Sequence, residues 1–197
     1  MGELILVRHG QTDANASGLL QGRLDLALNE RGRRQAVAQA AALGPIVRDG
    51  AALVSSSLLR ARQTAEAFGP VADIDDRWIE VDYGVLDGTP VAEVPAPTWA
   101  AWRADAEFAP PGGESMGALG RRVRAACEAL SAAGRDTTVV VVTHVSPIKA
   151  AVAWALGVDD AATWRMQVDQ ASITRLRLGT RPALLEFNRV AHLLGVG

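Results

Sequence analysis

Two of the three histidines in this chain come directly after predicted strands in the sequence. His9 follows the apolar run 3–7, His144 follows the apolar run 137–143, and His192 lies near the C-terminus. Parallel strands of an open sheet end at one edge, where ligands bind, so His9 and His144 are expected to share a crevice. His192 follows none of these predicted strands and lies in no recognisable motif, so we interpret it as a structural residue.

Arginines accompany these strand ends. Arg8 precedes His9, and Arg60 follows the predicted strand 51–54 and the serine turn 55–57. Guanidinium groups match phosphate oxygens through paired N–H donors, and helices that start after the same loops add backbone donors. In a chain of net charge −2, this local concentration of cations predicts a site for an oxyanion.

An imidazole among arginines is suited to accept a phosphoryl group. The neighbouring positive charges favour the neutral form, so we interpret His9 as the nucleophile. Two histidines alone do not complete a zinc site, and no carboxylate stands at a spacing such as His-Glu-x-x-His. We therefore expect neither a metal nor another cofactor. For either histidine considered alone, a structural role stays open.

Short apolar runs alternate with segments of helical periodicity. Strands are predicted at 3–7, 51–54 and 137–143, and helices at 29–43, 60–68 and 146–156. The first helix is expected to begin after Asn29 and to stop at Gly44 and Pro45. Two later runs, 171–178 and 183–188, alternate and are predicted as edge strands. The predicted fold class is α/β, a three-layer α/β/α sandwich with a mostly parallel central sheet.

The alternation breaks between about residues 85 and 113, a segment rich in proline and tryptophan. We expect an inserted lid there, helical around residues 99–106, on a single domain of residues 1–197. A packed surface excursion whose tryptophans fill the core is an equal alternative.

Composition excludes several other classes of protein. The 197 residues include 20 basic and 22 acidic ones, without the positive excess that nucleic-acid binders and polybasic membrane modules need. The single cysteine, Cys127, excludes a disulfide framework. No leader pattern and no long apolar run is present, so we expect a cytoplasmic location. The expected partner is a small-molecule phosphate ester. A homodimer is compatible with the sequence but not specified by it.

Several segments, in order and spacing, resemble the histidine phosphatase superfamily, in the branch that includes the cofactor-dependent phosphoglycerate mutases. The matching segments are 6–15, 21–25 with 28–36, 55–65, 80–84, 111–115 and 142–144. Two positions depart from the family pattern: Asp87 stands where glutamate is common, and Val145 follows His144 where the mutases have glycine.

The resemblance implies a role for each matching residue. His9 would carry the phosphoryl group, and Arg8, Arg60 and His144 would bind it and stabilise its charge. Glu80 would act as the acid and base. The residues that would line the same pocket are Asn15, Gln21, Gly22 and Tyr83.

This machinery can pass a phosphoryl group to water or to a second substrate. A mutase needs basic residues after the acid, but the segment 85–113 offers only Arg103, although Arg121 and Arg122 follow it. We therefore favour a phosphatase, with a phosphoglycerate mutase as the alternative and a non-catalytic phospholigand-binding module as a third hypothesis. The segment 102–115 resembles glucosyl-3-phosphoglycerate phosphatases, whereas 144–149 resembles alpha-ribazole and acid phosphatases, so the substrate stays open.

Overall fold

The computed structural model describes residues 2–132 and 137–196, and its strands form one six-stranded sheet. The strands are β1 (Glu3–Arg8), β2 (Ala52–Ser55), β3 (Asp73–Ile74), β4 (Thr138–Thr143), β5 (Ile173–Arg177) and β6 (Ala183–Arg189). Their order is β3-β2-β4-β1-β5-β6. The first four strands in this order are parallel to one another, whereas β5 is antiparallel to both of its neighbours, β1 and β6. The predicted α/β class with a mostly parallel sheet is confirmed.

Helices pack on both faces of this sheet. They are α1 (Asp13–Ala16), α2 (Glu30–Arg48), α3 (Leu59–Glu66), α4 (Ala96–Ala104), α5 (Met116–Ala132) and α6 (Val145–Leu156). Along β1, Leu4 and Leu6 join a core cluster with α5 and α6, whereas Ile5 and Val7 join a second cluster with α2 and α3. This period of two is what a strand buried on both faces requires.

Helix α2 corrects one prediction, because it does not stop at Gly44 and Pro45 but continues to Arg48. Proline removes one backbone donor and usually clashes with the Cβ of the preceding residue. Glycine has no Cβ, which relieves that clash. Continuing the helix also buries Val47 in the core cluster beside Leu43, and this burial offsets the lost hydrogen bond.

The prediction of two late edge strands is half correct. β6 is an edge strand, but β5 lies inside the sheet between β1 and β6. Its alternation arises because Arg175 pairs with the carboxylate of Glu3 on β1, so a charged residue is satisfied on an inner strand. The other edge, β3, was not predicted; it has only two residues, and both are exposed.

The segment 85–113 packs against the core through its aromatic residues. Its helix α4 begins three residues before the predicted position. Trp102 is 1% exposed, stacks on Trp99 at 5.6 Å between ring centroids and meets Tyr83 edge-on at 5.6 Å. These contacts favour the packed alternative for the tryptophans. A lid role for the segment stays a prediction.

No helix among residues 2–132 and 137–196 has the length and apolar character needed to cross a membrane.

Candidate active site

The two histidines predicted at strand ends lie side by side. β1 and β4 are parallel neighbours that place Arg8 opposite Thr143, so the residues that follow each strand emerge together. The ring centroids of His9 and His144 are 5.0 Å apart, and both side chains are buried. β2 ends on the other side of β4, where the Ser56 N–H donates to the carbonyl of Val142 at 3.1 Å.

Two hydrogen bonds fix the state of His9. Its Nδ1 lies 2.7 Å from the Gly10 carbonyl, which can only accept, so Nδ1 carries the proton. Nε2 accepts from Arg60 Nε at 3.2 Å and therefore holds the ring's lone pair. Burial, followed by the charges of Arg60 and Arg8, holds the pKa of His9 well below its usual value. The imidazole is neutral at pH 7, as a nucleophile requires.

Arg60 is fully buried in the first turn of α3. Besides its bond to His9, its guanidinium donates to the carbonyl oxygens of Leu24 at 2.7 Å and Gly22 at 2.8 Å. Burial lowers the pKa of Arg60 to about 10, which leaves the group charged at pH 7. The backbone of residues 21–24 thus orients this cation without neutralising it.

Asp87 organises the same loop from the opposite side. Its carboxylate accepts N–H bonds from Gly22 at 2.7 Å, Arg23 at 2.8 Å and Leu24 at 2.9 Å. Three N–H groups are therefore held on one carboxylate while two carbonyls of the same loop face Arg60. This position was noted in the sequence only as a departure from the family pattern.

Glu80 is 4% exposed, and its carboxylate lies against the first turn of α6. Its carboxylate accepts the N–H groups of Val81 at 2.8 Å and Ser146 at 3.2 Å. The backbone carbonyl of Glu80 accepts from Arg122, which is in turn paired with Glu114 at 2.7 Å. Glu80 is thus fixed at both its side chain and its backbone.

Arg8 approaches from the end of β1. Its Nη1 donates to the carbonyl of Val168 at 2.7 Å, and its buried Nε has no partner among the described residues. Burial lowers the pKa of Arg8, while the charges of Glu80 and Asp169 act in the opposite direction. An unpaired buried N–H is a donor available to a ligand.

The four residues expected to line the pocket have different surroundings. Asn15 forms a capping box with Thr12 at the start of α1, and Thr12 also donates to Gln21 Oε1 at 2.7 Å. Gln21 Nε2 is buried without a partner in the described part of the chain.

A Cβ on Gly22 would lie 2.6 Å from the Val81 carbonyl, so only glycine allows this approach. Burial and the charge of Glu80 raise the pKa of Tyr83, so its hydroxyl stays protonated.

One functional candidate was missed in the sequence. Ser56 had been assigned only to a turn, but its hydroxyl lies 2.7 Å from His144 Nε2. The available signal was its position directly behind β2, which the parallel pairing with β4 brings next to His144. In the described residues no three His, Cys, Asp or Glu side chains lie close enough together to hold a metal ion.

Arg121 and Arg122 do not supply free cations. Arg121 is exposed and pairs with Glu107, and Arg122 pairs with Glu114. Arg103 lies over the rings of Trp99 and Trp164, 5.8 Å from each centroid.

Comparison with known proteins gives consistent relatives. A glucosyl-3-phosphoglycerate phosphatase of Mycolicibacterium vanbaalenii is 41% identical over 169 residues, covering 78% of this chain and 74% of the relative. Phosphoserine phosphatase 1 of Hydrogenobacter thermophilus is 34% identical over 205 residues, covering 98% and 95%. The structure of a mycobacterial glucosyl-3-phosphoglycerate phosphatase in complex with VO3 superposes with a TM-score of 0.84 at 35% identity, covering 95% of this chain and 99% of that one.

Other mycobacterial relatives are longer. The chain matches them at 38% identity over 162 residues and spans 44% of their length. The family model for the histidine phosphatase superfamily, branch 1, matches residues 4–189, which include β1 from its second residue, β2 to β6 in full and every strand end described above. This chain belongs to branch 1 of the histidine phosphatase superfamily.

Proposed function

We propose that this chain hydrolyses small-molecule phosphomonoesters through a phosphohistidine formed on His9. The observation that carries the proposal is the contact between His9 Nε2 and Arg60 Nε at 3.2 Å. An unprotonated imidazole nitrogen directly beside a charged guanidinium supports a nucleophilic role for His9. The phosphatases among its relatives and structural neighbours support the same reaction class.

In the first step Arg60 Nε moves its hydrogen bond from His9 Nε2 to a phosphoryl oxygen. The freed lone pair of Nε2 attacks phosphorus, and the bond from phosphorus to the ester oxygen breaks. Arg8 and Arg60 stabilise the charge on the three equatorial oxygens, and His144 supplies a further donor. Glu80 gives its proton to the departing oxygen, so the product leaves as an alcohol.

In the second step the Glu80 carboxylate takes a proton from water. The resulting hydroxide attacks phosphorus, the bond to Nε2 breaks, and inorganic phosphate leaves. The two steps return His9 and Glu80 to their initial states. No other group of the chain has to be consumed.

Hydrolysis is favoured over phosphoryl transfer by the occupied arginines. A mutase has to retain a second phosphorylated substrate, but Arg121 and Arg122 are both engaged with carboxylates. The named relatives act on glucosyl-3-phosphoglycerate and phosphoserine. We extend to this chain the feature that these two esters share, a carboxylate near the phosphate.

The test is turnover of para-nitrophenyl phosphate, followed by rapid quenching without acid. We expect released nitrophenol and an acid-labile phosphate on His9. His9→Ala should abolish both, whereas the matched control His192→Ala should keep both, because the His192 side chain hydrogen-bonds the Ala171 carbonyl and none of the described site residues. Tight phosphate binding without turnover would instead support the non-catalytic module, and label on a serine would refute the mechanism.

A further inference from the structure

The loop 167–172, directly before β5, holds Arg8 at two points. The Val168 carbonyl accepts from Arg8 Nη1 at 2.7 Å, and the Ser172 carbonyl accepts from the Arg8 backbone N–H at 3.0 Å. The buried Nε of the same guanidinium has no partner among residues 2–132 and 137–196. The direction of this donor therefore depends on where the loop places the Val168 carbonyl.

A turn gives the loop its shape. Val168 is 5% exposed and belongs to the core cluster with α5 and α6. The Ser172 N–H donates to the Asp169 carbonyl at 3.2 Å, which closes a turn, and Ala171 within that turn has a φ of 56°. Residues other than glycine adopt such left-handed angles at a cost, so surrounding contacts have to impose them. The loop therefore needs contacts from outside to keep its conformation.

Asn188 on β6 reaches this loop from a bulge. The pairing of β6 with β5 shifts register between residues 173 and 175, so that β6 carries one extra residue there. Such bulges bend a strand and redirect its side chains. Asn188 has a φ of 55°, a left-handed angle that asparagine adopts more readily than most residues. The bulge thus suits an asparagine whose side chain leaves the strand to contact the loop.

The side chains of Asn188 and Asp169 are bonded in both directions. Asn188 Oδ1 accepts the Asp169 backbone N–H at 2.6 Å, and Asn188 Nδ2 donates to the Asp169 carboxylate at 2.8 Å. The other carboxylate oxygen accepts from Gln167 Nε2 at 2.6 Å. These two side-chain bonds, together with the charge of Arg8, lower the pKa of Asp169, so it is ionised at pH 7.

We propose that Asn188 is a positioning residue for Arg8, an inference that rests on the proposed function. A single planar peptide group connects the two side chains: its carbonyl, from Val168, accepts from Arg8, and its N–H, from Asp169, donates to Asn188. Because this group is rigid, a rotation that breaks the bond to Asn188 also turns the carbonyl away from Arg8. Asn188 thereby keeps Arg8 Nε directed at a phosphoryl oxygen.

The probe is inorganic phosphate, whose Kd is measured by calorimetry. Asn188→Asp tolerates the left-handed angle but replaces the Nδ2 donor with an oxygen that faces the Asp169 carboxylate. We expect the Kd to rise about tenfold, the size of one lost charge-assisted hydrogen bond. Adding Asp169→Asn exchanges the two side chains. The amide then donates from position 169, the carboxylate accepts at position 188, and the double variant should recover most of the affinity.

A second measurement asks whether Asn188 acts through Arg8. In the background of Arg8→Met, Asn188→Asp should change the Kd no further, because the group that it positions is gone. An equal rise of the Kd in both backgrounds would overturn the proposal. So would a double variant of Asn188→Asp with Asp169→Asn that binds phosphate no better than Asn188→Asp alone.

Thr174→Val is the matched control. It removes the acceptor of the Asn188 backbone N–H, a bond of 3.2 Å, but leaves the Asn188 side chain on Asp169. It should lower the free energy of unfolding without changing the Kd of phosphate. A rise of the Kd equal to that of Asn188→Asp would contradict the proposal, because any loosening of β6 would then suffice. Failure of the proposed function has a separate signature, a wild type that does not hydrolyse para-nitrophenyl phosphate.

Discussion

The Ser56 hydroxyl lies 2.7 Å from His144 Nε2, and its oxygen also accepts the N–H of Leu58 at 3.3 Å. Burial, followed by the charges of Arg60 and Arg8, lowers the pKa of His144, so its ring is neutral. A hydroxyl can accept one N–H bond and donate its own proton at the same time, so we expect Ser56 to donate to Nε2. The ring proton then resides on Nδ1, which is buried and has no partner in the described residues. A bound phosphoryl oxygen is the expected acceptor.

In the variant Ser56→Ala we therefore expect the neutral His144 ring to populate both tautomers. Nitrogen NMR shifts should change from a defined Nδ1–H form in the wild type to a mixture in the variant. The value of kcat should fall about tenfold, the size of one lost hydrogen bond. The matched control is Ser55→Ala, which removes a neighbouring buried hydroxyl whose hydrogen bond goes to the Ser56 carbonyl. Loss of activity without a change in tautomer would contradict the positioning role.

Asp87→Asn should loosen the loop that holds Arg60. The amide presents an NH₂ group to backbone donors at Arg23 and Leu24, so at least one N–H loses its acceptor. An unsatisfied donor costs about 1–3 kcal/mol of unfolding free energy. Vanadate inhibition should weaken together with kcat as Arg60 loses its orientation. Asp87→Glu, with the residue common in the family, should retain tight vanadate binding; equal weakening by both variants would show that the loop does not depend on the carboxylate.

Acid should destabilise the protein through its buried histidines. The pKa values of His9 and His144 are depressed in the folded state, so below about pH 6.5 the unfolded state binds more protons and stability falls as pH decreases. Each histidine contributes a slope of at most about 1.4 kcal/mol per pH unit. Denaturant unfolding from pH 7 to pH 5 should show a shallower decline for the double variant His9→Asn, His144→Asn. Parallel declines would mean that neither histidine is buried neutral.

The sequence predicted the parts of the site that depend on strand ends. His9 and His144 each follow a run of branched apolar residues, and these two runs form the neighbouring parallel strands β1 and β4. Their proximity was therefore predictable from periodicity and topology. The roles of Ser56 and Asp87 were not, because a serine behind a strand or an aspartate in a loop has no partner until the tertiary structure supplies one. Helix α2 continued through Pro45 for a similar reason, since burial of Val47 outweighs a local stop signal.

The arginines after the acid show the same limit. Sequence order left Arg121 and Arg122 open as ligands for a second phosphate. In the fold Arg121 pairs with Glu107, which lies 14 residues earlier in the chain, and Arg122 pairs with Glu114, which lies 8 residues earlier. Whether these two arginines can bind a second phosphate depends on the tertiary structure, and this decides between a phosphatase and a mutase.

The variant Glu80→Gln tests whether Glu80 is the acid that protonates the leaving group. If Glu80 protonates the leaving oxygen, the variant should slow alkyl esters by about 10² to 10⁴-fold, but para-nitrophenyl phosphate much less, because nitrophenolate departs without a proton. Asp82→Asn is the matched control, since Asp82 is a nearby acid whose carboxylate accepts the Gly84 N–H. Equal losses on both ester types would remove Glu80 from the acid role.

The same assay on 3-phosphoglycerate primed with its bisphosphate distinguishes the two reactions of the family. With Arg121 and Arg122 engaged by carboxylates, the wild type should release inorganic phosphate faster than it forms 2-phosphoglycerate. Predominant isomerisation would replace the phosphatase with a mutase. It would leave the nucleophilic role of His9 in place, because both reactions pass through the same phosphohistidine and differ only in whether water or a bound hydroxyl receives the phosphoryl group.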